Sequence, residues 1–255
     1  VGDFNGDGNL DLAVSCSNST VVSIRLGDGG GNFSGTTNIA VNGNTANLAV
    51  GDFNGDGKLD FITVNASTNT ASVRLGDGAG GFTGSTNVSV GTVPNAIVVG
   101  DFNGDGKLDF ATSNNTAGTS SIRLGDGAGN FSGTTEISVG TQPQSVALGD
   151  FNKDGKLDLA IGNYASGTVS IRLGNGLGGF SGTTNLTTTV PQGGVVVGDF
   201  NNDGNPDVAA ARGGGMDYFL GDGLGGFGSR SGLTISPSTL GVLALGDFNG
   251  DGRQD

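Results

Sequence analysis

Four short runs of small apolar residues, each bounded by turn-forming residues, recur along this chain with a period of 48–49 residues. The second repeat shows the pattern most clearly. ANLAVGDF (46–53) alternates apolar and polar positions and predicts an inner strand. DFITVNA (60–66) predicts a second strand, ASVRLG (71–76) a third and FTGSTNVSV (82–90) a fourth. No segment keeps a helical period of three to four residues. Four strands per repeat predict one four-stranded antiparallel sheet each. A single such sheet cannot bury its faces alone, so the sheets must stack on their neighbours. The predicted fold class is therefore all-β, a β-propeller with about five blades and residues 1–255 in a single repeat domain.

Phenylalanine supports that packing. Phe4, Phe53, Phe102, Phe151, Phe200 and Phe248 occupy one repeat position, and Phe33, Phe82, Phe131, Phe180 and Phe227 a second. Rings at two fixed places are expected to fill the space between adjacent sheets. The 53 glycines lack a collagen-like period and fit tight turns instead.

Between the first and second strands lies a nine-residue polar loop, at 3–11, 52–60, 101–109, 150–158, 199–207 and 247–255. Position 1 is Asp3, Asp52, Asp101, Asp150, Asp199 or Asp247, and position 3 is Asn5, Asn54, Asn103, Asn152, Asn201 or Asn249. Position 5 is Asp7, Asp56, Asp105, Asp154, Asp203 or Asp251, and position 9 is Asp11, Asp60, Asp109, Asp158, Asp207 or Asp255. A glycine always follows position 5. Calcium takes six to eight oxygen ligands, which side chains at 1, 3, 5 and 9 can supply with a carbonyl from position 7. Position 7 varies as Asn9, Lys58, Lys107, Lys156, Asn205 and Arg253, as suits a backbone ligand. Zinc would want His or Cys, and the chain has no His. An EF-hand needs flanking helices and Glu at position 12, where Val14, Thr63, Thr112 and Ile161 stand. Six copies in register predict about five or six bound Ca2+ ions.

The charge changes the picture only slightly. Net charge is −13, and most of the 24 acidic side chains lie in these loops, so five or six divalent ions would bring the protein near neutrality. No basic patch suits nucleic acid. No apolar run suits membrane insertion. Cys16 stands alone, where later repeats have Asn65, Asn114, Asn163 and Arg212, and is expected to be a half-buried strand residue.

The loop between two strands, followed by RLGDGxGxF, resembles the FG-GAP/VCBS repeat family, akin to the repeats of integrin alpha chains. The resemblance covers essentially the whole chain. It implies a calcium-bound β-propeller, usually seven-bladed, in extracellular or cell-surface proteins of adhesion or carbohydrate binding. Integrin loops usually carry Asp at position 3, where this chain has Asn. With five units, the chain is expected to be a fragment of a longer propeller, or a five-bladed ring closed by the last inner strand (242–248).

Strand order puts the acidic loops and the Gly-rich LGDG turns on one face, where they are expected to brace one another. By the resemblance, a glycan or extracellular protein would meet the opposite face or the clefts between blades. That face holds the loops around Pro94, Pro143, Pro191 and Pro237, with Tyr164 and the Gly213–Tyr218 insertion. Tyr164 and Tyr218 could stack on a sugar. Arg25, Arg74, Arg123 and Arg172 are expected to be solvated and paired with nearby Asp. Without His and with one Glu, no catalytic pair presents itself. The functional expectation is a calcium-binding module for adhesion or for carbohydrate or protein binding. The alternatives are a calcium-stabilised spacer and the non-catalytic appendage of a secreted hydrolase.

Overall fold

A computed structural model of the protein describes residues 1–189, 191–239, 243–252 and 254. Every regular element among them is a strand. The first sheet holds β1 (Leu12–Ser15), β2 (Val21–Gly27), β3 (Phe33–Ser34) and β4 (Asn38–Ala40), the last two both paired with β2. The second runs β5 (Thr45–Gly51), β6 (Asp60–Asn65), β7 (Thr70–Gly76) and β8 (Phe82–Thr83), with β9 (Asn87–Ser89) also on β7. The third is β10 (Pro94–Gly100), β11 (Asp109–Asn114), β12 (Thr119–Gly125) and β13 (Phe131–Ser138). The fourth runs β14 (Pro143–Gly149), β15 (Asp158–Asn163), β16 (Thr168–Gly174) and β17 (Phe180–Ser181), with β18 (Asn185–Thr187) on β16. The fifth is β19 (Pro191–Gly198), β20 (Asp207–Phe219) and β21 (Ser231–Thr239).

These antiparallel sheets group into two compact units, Val1–Asp101 with Asp105–Glu136, and Phe102–Gly104 with Ile137–Asp255. Within each unit the apolar core lies between sheets. Phe4, Val22 and Ile24 of the first repeat pack with Phe61 of the second. Phe53, Ile62 and Val73 pack with Ile97 and Phe110 of the third. In the second unit, Phe151, Ala160 and Ile171 meet Val195, Val208 and Phe219. Aromatic edges close each joint: Phe4 lies 5.6 Å from Phe82, Phe53 5.7 Å from Phe131, Phe102 5.5 Å from Phe180 and Phe151 5.5 Å from Phe227. Phe33 and Phe248 depart from the expected packing, at 49% and 76% exposed.

The fourth predicted strand is in two pieces in three repeats, around Gly35 (φ 85°), Gly84 (80°) and Gly182 (100°), although Gly133, at φ 93°, leaves the third repeat's strand unbroken. In the third sheet β13 runs through Gly133. There Glu136 stands in place of Asn38, Asn87 and Asn185 of the first, second and fourth repeats, and its carboxylate reaches Thr119, Ser121 and Arg123 of β12.

Several expectations are corrected. Arg74, Arg123 and Arg172 are not solvated partners of Asp; they are 7%, 6% and 6% exposed. Each donates Nε–H to a carbonyl of the preceding repeat, Ala40, Ser89 or Ser138, at 3.0–3.1 Å. Each also donates from Nη1 to the carbonyl of its own preceding residue. They are staples between sheets. Cys16 is exposed, just beyond β1. At its repeat position Asn65, Asn114 and Asn163 are buried and donate to Ser72, Ser121 and Ser170 at 2.8–2.9 Å. The fifth repeat substitutes an ion pair, Arg212 to Asp217 at 3.0 Å. Gly213–Tyr218 is not an exposed loop but part of β20, paired with Ser231–Thr239 of β21 with one register shift between Gly213 and Gly215. Of the expected last strand, Val242 lies outside the described residues and 243–247 are not in a strand. A strand exists by pairing, and the described residues supply no second strand there.

Candidate metal-binding loops

Each acidic loop is wound by its first aspartate. Asp3 Oδ1 accepts the N–H of Gly6 at 2.7 Å and of Asp7 at 3.2 Å, and Oδ2 accepts that of Gly8 at 2.8 Å. Asp52 repeats the three bonds at 2.7, 3.2 and 2.8 Å, and Asp247 at 2.6, 3.0 and 2.8 Å. Asp101, Asp150 and Asp199 hold the N–H groups of positions 5 and 6 in the same way. Two left-handed residues make the winding possible. Position 4 is Gly6, Gly55, Gly104 and Gly250 at φ 73–76°, but Lys153 at 55° and Asn202 at 57°. Position 6 is always glycine at φ 80–85°. A Cβ there would meet nothing within 4 Å, save Lys153 Nζ at 3.8 Å from Gly204, so conformation rather than crowding favours glycine.

Positions 3 and 5 continue the turn. Asn5 Oδ1 accepts the N–H of Asp7 at 3.1 Å, and Asp7 Oδ1 that of Asn9 at 2.8 Å. The Asn9 N–H holds the Asp7 carboxyl below the usual range, and the Asn201 amide does the same for Asp203. Lys58, Lys107 and Lys156 bring Nζ to 3.9, 3.7 and 3.1 Å from the position-5 carboxylate of their own loops.

Position 9 is placed differently. Asp11, Asp60, Asp109, Asp158 and Asp207 are all fully buried. Where the bond to position 2 is described, Oδ2 accepts the N–H of the loop phenylalanine: Phe4, Phe53, Phe151 and Phe200, each at 2.8 Å. Oδ1 accepts the N–H of the glycine ending β2, β7, β12 or β16, namely Gly27, Gly76, Gly125 and Gly174, or of Gly221 just beyond β20, again at 2.8 Å. The carboxylate therefore ties loop to sheet. Burial pushes the Asp60, Asp158 and Asp207 carboxyls up, with the loop's other aspartates adding to the rise and the two N–H bonds opposing it.

Sequence reading missed this clamp. Its trace is the glycine of the RLG run, sixteen residues beyond position 9 in the first four repeats, and of FLG, fourteen beyond, in the fifth. A Cβ on Gly27, Gly76, Gly125 or Gly174 would overlap the carbonyl of Leu10, Leu59, Leu108 or Leu157. The expected bracing by the Gly-rich turns is present, but the turn comes from the next repeat. Gly80 donates to the Phe4 carbonyl, Gly129 to Phe53, Gly178 to Phe102 and Gly225 to Phe151, at 2.9–3.0 Å.

The donor set is entirely oxygen and suits a hard divalent cation. Each carboxylate oxygen has two lone pairs, so the N–H bonds leave acceptor capacity at positions 1, 5 and 9. Among the described residues no three acidic groups already converge as a metal cage. Position 9 would contribute through lone pairs not used by the backbone. In the sixth loop, Arg253 and Asp255 lie outside the described residues.

Comparison with known proteins agrees with this architecture. The model of the FG-GAP-like repeat matches five times, over residues 3–63, 52–112, 101–161, 150–210 and 199–255. No curated protein sequence matches significantly. Among solved structures, a functionally unknown protein from Desulfotomaculum acetoxidans superposes with a TM-score of 0.67 at 16% identity, over 92% of this chain and 71% of that one. A lectin from Agrocybe aegerita, described for recognition of non-reducing terminal N-acetylglucosamine, gives 0.63 at 19% identity, over 93% and 68%. A candidate 6-phosphogluconolactonase from Bacteroides uniformis gives 0.70 at 13% identity, over 90% and 70%. At such identities the likeness establishes a propeller-type fold and nothing about activity.

Proposed function

This chain belongs to the FG-GAP-like repeat family, and we propose that it is a calcium-clamped binding module for a glycan or protein outside the cell, without catalytic activity. The observation that carries the calcium part is the repeated winding of one all-oxygen loop around its first aspartate. The ions would be held by side chains at positions 1, 3, 5 and 9 and the position-7 carbonyl of each loop. Calcium there would join side chains that otherwise repel and would fasten the turn between first and second strands. The non-catalytic part rests on residue chemistry. The chain lacks histidine, its one glutamate is paired with Arg123 at 2.8 Å, and the buried position-9 aspartates of the first five loops are engaged by backbone N–H groups. The binding part rests on the family and on the likeness to a lectin fold.

Isothermal titration of metal-stripped protein should give about five calcium ions per chain. Asp105→Ala should remove about one of them and leave the rest. Loss of all sites in that variant, or no calcium uptake by the wild type, would overturn the proposal.

A further inference from the structure

The side of the sheets away from the acidic loops carries a cleft of about 390 Å3 between the first and second repeats. That volume lies in the range of small-ligand sites, about 300–1,000 Å3. Ser17 and Asn18 of the turn after β1 form one wall, and Asn44 of the segment entering β5 and Ser67 of the turn after β6 the other. Ala46 and Ala66 add two methyl groups, and Asn95 closes the end. No lining side chain is charged.

The cleft is held in shape by bonds among its own loops. Ser67 Oγ accepts the Asn44 N–H at 2.9 Å, and the Asn44 carbonyl accepts the Ala66 N–H at 2.9 Å. Thr45 donates its hydroxyl to the Cys16 carbonyl at 2.8 Å and its N–H to the Ser19 carbonyl at 2.9 Å. Gly43 lets the linker approach the second repeat so closely that a Cβ would run into Ser67 and Thr68. Asn18 sits in the left-handed region at φ 62° and turns the first wall. Three connections from two repeats are thus tied together, which lowers the ordering cost of binding.

We propose that this cleft binds a neutral, hydroxyl-rich ligand, a saccharide unit of a glycan. The inference rests on the reading of the chain as a binding module and supplies the place and ligand class. Amides and hydroxyls each both donate and accept, as adjacent sugar hydroxyls do. The methyl groups of Ala46 and Ala66 suit the C–H face of a pyranose. An anion or cation would find no countercharge. The lining side chains are short amides, hydroxyls and methyls with no large apolar side-chain pocket, which fits a sugar better than a peptide side chain. At the next two junctions Val93 and Gln142 stand where Asn44 stands here, each accepting the equivalent backbone N–H, so the short asparagine side chain, though not the amide, sets this cleft apart.

The test uses the whole chain in calcium on immobilised neutral hexose and N-acetylhexosamine oligosaccharides, with sialylated and sulfated glycans and unmodified peptides alongside. Neutral glycans should bind. Asn44→Ala and Ser17→Trp, the second filling the cleft from an exposed wall, should each weaken binding at least tenfold with an unchanged melting curve. Amide shifts of Asn44 and Ser67 on adding the bound sugar would place it in the cleft independently of either variant. Neutral-glycan binding that survives both variants, without those shifts, overturns the cleft and leaves the binding module standing. Preference for acidic glycans or peptides, lost in both variants, overturns the ligand class. No binding to any glycan overturns this inference, while the calcium-clamped module stands or falls separately by the calcium titration.

Discussion

At the scale of single residues, backbone conformation sets sharp limits on the acidic loops. Gly57 sits at φ 80° with free space around its missing Cβ, so Gly57→Ala should cost only the left-handed penalty, about 1–2 kcal/mol. Lys153 bears that penalty already at φ 55°. Lys153→Gly should relieve it, less about 0.5–1 kcal/mol for the greater freedom of glycine in the unfolded chain. Denaturant melts in saturating calcium should show the first variant less stable and the second unchanged or more stable. A stabilised Gly57→Ala would contradict the loop geometry. Asp126, in a Gly-rich turn, is held below the usual carboxylate range, first by the Asn130 side-chain amide. A lowered folded pKa contributes stability that is present above about pH 4 and is lost as pH falls through the folded value. Asp126→Asn should therefore narrow the gap between stabilities at pH 6 and pH 3, read by chemical denaturation.

At the scale of elements, joints between repeats carry more than their sequences suggested. Arg123 reaches the Ser89 carbonyl of the preceding repeat, the Ile122 and Thr135 carbonyls of its own and the Glu136 carboxylate. Arg123→Met keeps the stem but loses those bonds and the countercharge of Glu136, and should cost about 2–4 kcal/mol. Arg25, in the first sheet, meets the Ile24 and Thr37 carbonyls and, among the described residues, no carbonyl of another repeat, so Arg25→Met should cost less than about 1 kcal/mol. Equal losses by thermal or urea melts would remove the staple. The strands themselves were legible, because alternation and turn residues act locally. ASVRLG (71–76) became β7 (Thr70–Gly76) with one residue added. What escaped was long-range. Arginine looks solvated in a polar strand until the neighbouring sheet supplies carbonyls. The burial of Asp60 is likewise invisible until Gly76, sixteen residues on, donates to it. The fifth repeat misled for a related reason: its glycines read as a loop, but pairing with β21 keeps Gly213–Tyr218 extended.

For the molecule as a whole, the repeated acidic loops make charge and stability one question. Without cations the chain carries a net charge of −13. Its loops then hold like charges together, so the stripped protein should gain stability from added monovalent salt, which screens repulsion. Calcium, binding the native loops and not the unfolded chain, should stabilise by mass action, about 2.7 kcal/mol for each site at a hundredfold excess over Kd. The most direct test is a pair of thermal melts on the same preparation, one in millimolar calcium and one with a chelator in excess. The calcium-clamped fold predicts a large rise in melting temperature with calcium, reversed by the chelator. Two superimposable curves would contradict it.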